Sequence, residues 1–121
     1  MQISELNHVA LHVSSVEASA RFYGETLGFP ALPRPAFTFP GAWFQIGRNQ
    51  ELHLIGDKLG EPFTEKTRGG HFAMRVDDLD GAARLLKQKG IRFRSTLRPD
   101  GARQIFLEDP DGHQLEFFVG P

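Results

Sequence analysis

The chain contains itself twice. Leu6-Asn7-His8-Val9-Ala10-Leu11-His12-Val13 returns in pattern as Gly69-Gly70-His71-Phe72-Ala73-Met74-Arg75-Val76, and Glu51-Leu52-His53-Leu54-Ile55 returns as Gln114-Leu115-Glu116-Phe117-Phe118. His8 to His71 and His53 to Glu116 are the same step of 63 residues. A self-similar chain folds as copies of one element order, so the architecture has to be built from two like halves. Each half opens on a strand bearing a histidine and closes on a strand bearing a histidine or glutamate at the matching place. His8, His53, His71 and Glu116 are thus three imidazoles and one carboxylate related by a pseudo-twofold, a donor set suited to one divalent metal ion.

Residue spacing fills in the halves. Residues 5–13 alternate as a half-buried strand, with Leu6, His8, Ala10 and His12 on one face and Asn7, Val9, Leu11 and Val13 on the other. Ser14 or Ser15 caps a helix expected over about 16–27, with Val16, Ala20, Tyr23 and Leu27 at helical spacing and Gly28 ending it. Pro30, Pro33, Pro35 and Pro40 interrupt the next stretch, which reads as an edge strand broken by turns or as a covering loop. Strands follow near 42–47 and 50–56 around a turn at Gly47-Arg48-Asn49. The second half repeats the order: a strand near 70–77, a helix over 79–89 capped by Asp77 or Asp78, then strands at 91–95, 103–108 and 114–119. Asp109-Pro110-Asp111-Gly112 marks the turn before the last strand. Each half is therefore βαβββ. The expectation is a single domain over 1–121, with one module at about 1–57, a linker at about 58–69 and a second module at about 70–121.

Composition removes several classes of function. With 14 basic and 15 acidic side chains and no run of either sign, nothing invites a nucleic acid or an anionic membrane. The absence of cysteine excludes thiolate ligands, thiol nucleophiles and disulfides, so a metal site must use nitrogen and oxygen. No apolar run approaches the length of a membrane span and no leader is evident, so a cytoplasmic protein is expected.

The sequence resembles the vicinal oxygen chelate superfamily, which includes glyoxalase I, extradiol dioxygenases, fosfomycin-modifying enzymes and bleomycin-resistance proteins. The resemblance rests on Leu6-Asn7-His8-Val9-Ala10-Leu11, Arg21-Phe22-Tyr23-Gly24-Glu25-Thr26-Leu27-Gly28-Phe29, Gly70-His71-Phe72-Ala73, Val76-Asp77-Asp78-Leu79-Asp80 and Glu108-Asp109-Pro110-Asp111-Gly112-His113-Gln114-Leu115-Glu116. It implies an α+β fold in which two βαβββ modules make a cupped eight-stranded sheet around the metal. It also implies ligands on the first and last strand of each module, at His8, His53, His71 and Glu116, with Glu116 at the position of the catalytic base. Glu51 is the alternative second ligand, but only His53 keeps Leu52 and Leu54 in register with Leu115 and Phe117. Glu51 shares the face of His53 and suits a partner to it.

A family of this kind implies a metal-dependent lyase or isomerase that acts on a small substrate with two adjacent oxygens, through an enediolate-type intermediate. Ni, Co, Zn, Mn and Fe are all compatible with the ligand types. Two other classes stay open: an extradiol-type dioxygenase using His8, His71 and Glu116, and a non-catalytic protein that binds a small molecule. Substrate contacts are expected from His12, from Arg75 at the repeat-equivalent place, and from Trp43 and Phe39. Phe37 and Phe44 are further candidates for an apolar lining, His113 is expected to be solvated, and Arg21 and Glu25 to pair on the first helix. An arginine that binds glutathione in the family falls at His12, and another at Thr67 beside Arg68, which disfavours glutathione as the substrate. A homodimer is expected, since many small members build sites from two chains.

Overall fold

The computed structural model describes residues 1–58 and 70–121. Two compact units, Met1–Glu61 and Pro62–Pro121, divide the chain. In the first, strand β1 (His8–His12) is followed by helix α1 (Val16–Ala20), a π-helical turn (Arg21–Thr26), and strands β2 (Ala31–Leu32), β3 (Gly41–Ile46) and β4 (Gln50–Ile55). In the second, β5 (His71–Arg75) leads to helix α2 (Leu79–Gln88) and strands β6 (Phe93–Leu97), β7 (Arg103–Glu108) and β8 (Gln114–Val119). Each unit has its own four-stranded sheet, ordered β1-β4-β3-β2 and β5-β8-β7-β6. First and last strands run parallel, and the other pairings are antiparallel. The protein is α+β, made of two βαβββ modules. The expected linker, with Thr67 and Arg68, falls outside the described residues except for Lys58.

The repeat survives to the level of single hydrogen bonds. His8 lies opposite Glu51 in the β1–β4 ladder, and His71 opposite Gln114 in the β5–β8 ladder. Val13 donates to the Ile55 carbonyl at 2.8 Å, and Val76 to the Phe118 carbonyl at 3.0 Å. Strand alternation then sorts the side chains. Leu52, Leu54, Phe44 and Val13 are buried under the first helix with Phe22 and Tyr23, and Leu115, Phe117, Ile105 and Leu107 under α2 with Leu79 and Leu86. The opposite face of each sheet carries the histidines.

Both helices start as their caps dictate. Ser15 Oγ accepts from the Ala18 amide at 3.1 Å, and Asp78 Oδ1 from the Gly81 amide at 2.8 Å. Arg103 ties α2 to β7 through Asp80 at 2.5 Å, and that hydrogen bond and charge hold the Asp80 carboxyl below its ordinary value of 3.8.

Three local expectations are corrected. The first helix does not stay α-helical to residue 27; from Arg21 it widens, and Leu27 donates five residues back to the Phe22 carbonyl at 2.9 Å. Gly24 sits in that turn, where even a β-carbon would come within 3.1 Å of the Phe44 ring. Arg21, the first residue of the widened turn, pairs backwards with Glu17 on α1 at 2.8 Å, not with Glu25. Strand β6 begins at Phe93, not at residue 91, because Ile91 closes the C-terminus of α2. Gly90 at φ +72° allows Gly90 to donate to Lys87 and Ile91 to donate to Leu86, the paired bonds of a Schellman cap.

Candidate functional site

In the first module β1 and β4 are adjacent and parallel, so His8 and His53, two register steps apart, stand on the same open face. Their rings stack with centroids 4.2 Å apart. His53 is stacked on its other side by Trp43, its cross-strand partner on β3, at 3.9 Å and 3°. Hydrogen bonds fix which ring atoms remain for a ligand. His8 Nδ1 donates to Asn7 Oδ1 at 2.8 Å, which leaves the Nε2 lone pair. His53 Nε2 donates to Glu51 Oε1 at 2.9 Å, which leaves Nδ1. Glu51 is thus a carboxylate partner to His53.

In the second module the equivalent register brings His71 and Glu116 together, with Nε2 and Oε1 3.2 Å apart. Two donors bound to one ion at about 2.1 Å stand roughly 3.0–3.4 Å from each other, so the pair already has the spacing of neighbouring ligands. The Glu116 side chain is only 6% exposed. Its other oxygen accepts from Gln104 Nε2 at 3.1 Å, and Gln104 Oε1 accepts from the Thr96 hydroxyl at 2.8 Å. The carboxylate only accepts, so it fixes the orientation of the Gln104 amide: Nε2 faces Glu116 and Oε1 is left to the Thr96 hydroxyl. A buried carboxylate needs such partners, because its desolvation is costly otherwise.

Among the described residues, no group of three or more His, Asp or Glu side chains is arranged to hold a metal ion. The expected ligands come as two repeat-related pairs, one per module. Imidazole nitrogen and carboxylate oxygen are donors that fit a divalent ion of the zinc or nickel type.

The expected substrate contacts divide. Trp43 lies against His53, and Phe39 reaches it through Phe37, with centroids 5.2 Å apart for Phe37–Phe39 and 6.1 Å for Phe37–Trp43. Phe37 and Phe39 are exposed, whereas Phe44 alternates to the other face of β3 and is core. Arg34 holds this loop: its guanidinium lies over both phenyl rings and donates to the Phe39 carbonyl at 2.8 Å. His12 and Arg75 are engaged elsewhere. His12 pairs with Asp57 at 2.5 Å, and Arg75 donates to the Gly120 carbonyl at 2.6 Å while covering the Phe118 ring. His113, expected in solvent, is half-buried. Its amide donates to Asp109 Oδ1 at 2.8 Å, as the side chain of Asp109 builds the turn.

Several residues of this face carry no sequence signal of their own. Gln104 and Thr96 position Glu116, and Phe106 meets the edge of the His71 ring at 5.6 Å. Arg94 lies over the other side of that neighbourhood, 4.6 Å from the Phe106 centroid. Alternation along β6 and β7, taken outward from Glu116 in register, is the signal that finds them.

Known proteins resemble this chain in sequence and in fold. A family model described as the glyoxalase/bleomycin resistance protein/dioxygenase superfamily matches residues 5–117. The chain is 30% identical over 124 residues to glyoxylase I 4 of Arabidopsis thaliana, covering 96% of this chain and 71% of that protein. It is 31% identical over 121 residues to lactoylglutathione lyase of Neisseria meningitidis serogroup A, covering 93% and 88%. A solved glyoxalase/dioxygenase from Nostoc punctiforme superimposes with a TM-score of 0.81 at 26% identity, covering 98% of this chain and 92% of that one. Two βαβββ modules in one register, and a family match over nearly the whole length, make this chain a member of the glyoxalase/bleomycin resistance protein/dioxygenase superfamily.

Proposed function

We propose that this protein is a metal-dependent lyase or isomerase of glyoxalase type, acting on a small substrate with two adjacent oxygens. One divalent ion would be held by the His8–His53 pair of one module and the His71–Glu116 pair of another, in the same chain or in a second copy. The observation that carries this reading is the His71–Glu116 pair: a buried carboxylate and an imidazole at 3.2 Å, in the register that sets His8 beside His53. When bound, the ion would supply Lewis acidity to negative charge that develops on adjacent substrate oxygens.

The chain's own residues do the rest. Glu116 takes a proton from the hydroxyl-bearing substrate carbon beside a carbonyl, giving an enediolate, and returns it to the neighbouring carbon, while the hydroxyl proton passes from one of the adjacent oxygens to the other. Gln104 holds the carboxylate through Oε2, so Oε1 is the oxygen turned to His71 and to the work. Trp43 and the loop carrying Phe39 offer apolar surface beside His53 for the substrate's remaining atoms. Relatives named lactoylglutathione lyase and glyoxylase I support the reaction class. His12 and Arg75 are proposed as outer contacts only, since each already has a partner in its own module.

Elemental analysis of protein purified without chelator tests the reading, beside a His8→Ala, Glu116→Ala double variant. About one divalent ion per site in the parent, lost in the variant, is expected. A parent that neither carries metal nor takes up Ni²⁺, Zn²⁺, Mn²⁺ or Fe²⁺ would sink it and leave a small-molecule binder.

A further inference from the structure

We infer that Arg94 is an oxyanion-binding residue for the substrate of this site, so that the substrate class is an anion bearing a carboxylate or phosphate away from its paired oxygens. The inference rests on the proposed metal site and adds the chemistry of the substrate's far end. Its basis is register. Arg94 on β6 faces Phe106 on β7, and Phe106 faces Glu116 on β8, so the three form one cross-strand row on one face of one sheet. With strands about 4.8 Å apart, the Arg94 and Glu116 backbones stand roughly 10 Å from each other, a span suited to a small bifunctional molecule.

Packing fixes where the charge lies. The guanidinium rests 4.6 Å from the Phe106 centroid, and the same ring meets His71 edge-on at 5.6 Å. Phe106 therefore bridges the cation and the candidate ligand, with no intervening side chain in the row. A cation stacked on an aromatic face keeps its N–H edge available, which is the edge that forks onto an oxyanion. Among the described residues no carboxylate forms an ion pair with Arg94. A groove of about 510 Å³ in the same module is lined by Arg92, Arg94, Phe106, Glu108 and Gln114, and gives the anion a place to sit. Glu108 shares that groove and disfavours anions that stray from Arg94, which restricts the geometry of the charged end.

Two hydroxamates separate the possibilities. Benzohydroxamate presents two adjacent oxygens to a metal, and 4-carboxybenzohydroxamate adds only a remote carboxylate. Calorimetric titration of the Ni²⁺-loaded full chain is expected to show the carboxylated probe binding about fivefold tighter. Arg94→Met is expected to abolish that difference between the two probes, and Arg94→Lys to keep part of it. Equal affinities in the parent, or a preference that survives Arg94→Met, would overturn the assignment.

Failure of the metal reading shows itself differently, as hydroxamate binding that is absent or indifferent to Ni²⁺. In that case inorganic phosphate, titrated into metal-free protein and followed by NMR at the Arg94 side-chain N–H, reads the subsite directly. A saturable shift that Arg94→Met removes is expected, and no shift overturns the proposal.

Discussion

At the scale of single residues, the site depends on side chains that never need to touch a substrate. Gln104 is the sharpest case. It donates to Glu116 Oε2 and is itself oriented by Thr96, so removal leaves a buried carboxylate short of a partner. Outer hydrogen bonds of this kind typically change metal affinity 10–100-fold. Gln104→Leu is therefore expected to weaken divalent-ion binding by about tenfold with the far-UV circular dichroism unchanged, measured by competition with a chelating dye. Unaltered affinity would show that Glu116 is held without it. The pairing of His8 with His53 and of His71 with Glu116 was legible in the sequence because these four residues are matched by the internal repeat. Gln104, Phe106 and Arg94 were not, because only strand register puts the first two beside Glu116 and Arg94 one strand beyond Phe106.

At the scale of elements, close backbone approach decides where the aromatic wall sits. Gly41 opens β3, and a β-carbon there would lie 2.4 Å from the Leu54 carbonyl and 2.9 Å from the Arg34 guanidinium. The β3–β4 contact holding Trp43 against His53 thus requires glycine at that point. Gly41→Ala is expected to cost about 1–3 kcal/mol in thermal or denaturant unfolding, as backbone-displacing overpacking does. A variant as stable as the parent would mean that the two strands yield without strain. Element order was readable because alternation and caps are local signals, and Ser15 and Asp78 act as such caps. The π-helical turn was not readable, since α and π spacing differ too little over six residues. Within it Gly24 leaves no room for a β-carbon beside Phe44, a tertiary constraint that local spacing does not carry. The two-residue shift of β6 has the same character: Ile91 looks like a strand residue but is consumed by the helix cap before it.

At the scale of the whole molecule, the proposed metal centre would draw two donors from each kind of module. A mixing experiment distinguishes sites within one chain from sites shared by two. One variant carries His8→Ala and His53→Ala, the other His71→Ala and Glu116→Ala, and neither alone is expected to hold metal. If two chains share each site, unfolding and refolding the variants together restores roughly one intact site per mixed dimer, read as bound metal. If each chain builds its own, mixing restores none. The chain has one tryptophan, and it stacks on a candidate ligand at 3.9 Å. Indole emission is sensitive to charge arriving on a ring in contact with it, so Trp43 is an optical probe wired to His53. Occupancy of the centre can then be followed in the unlabelled protein, in real time, by light.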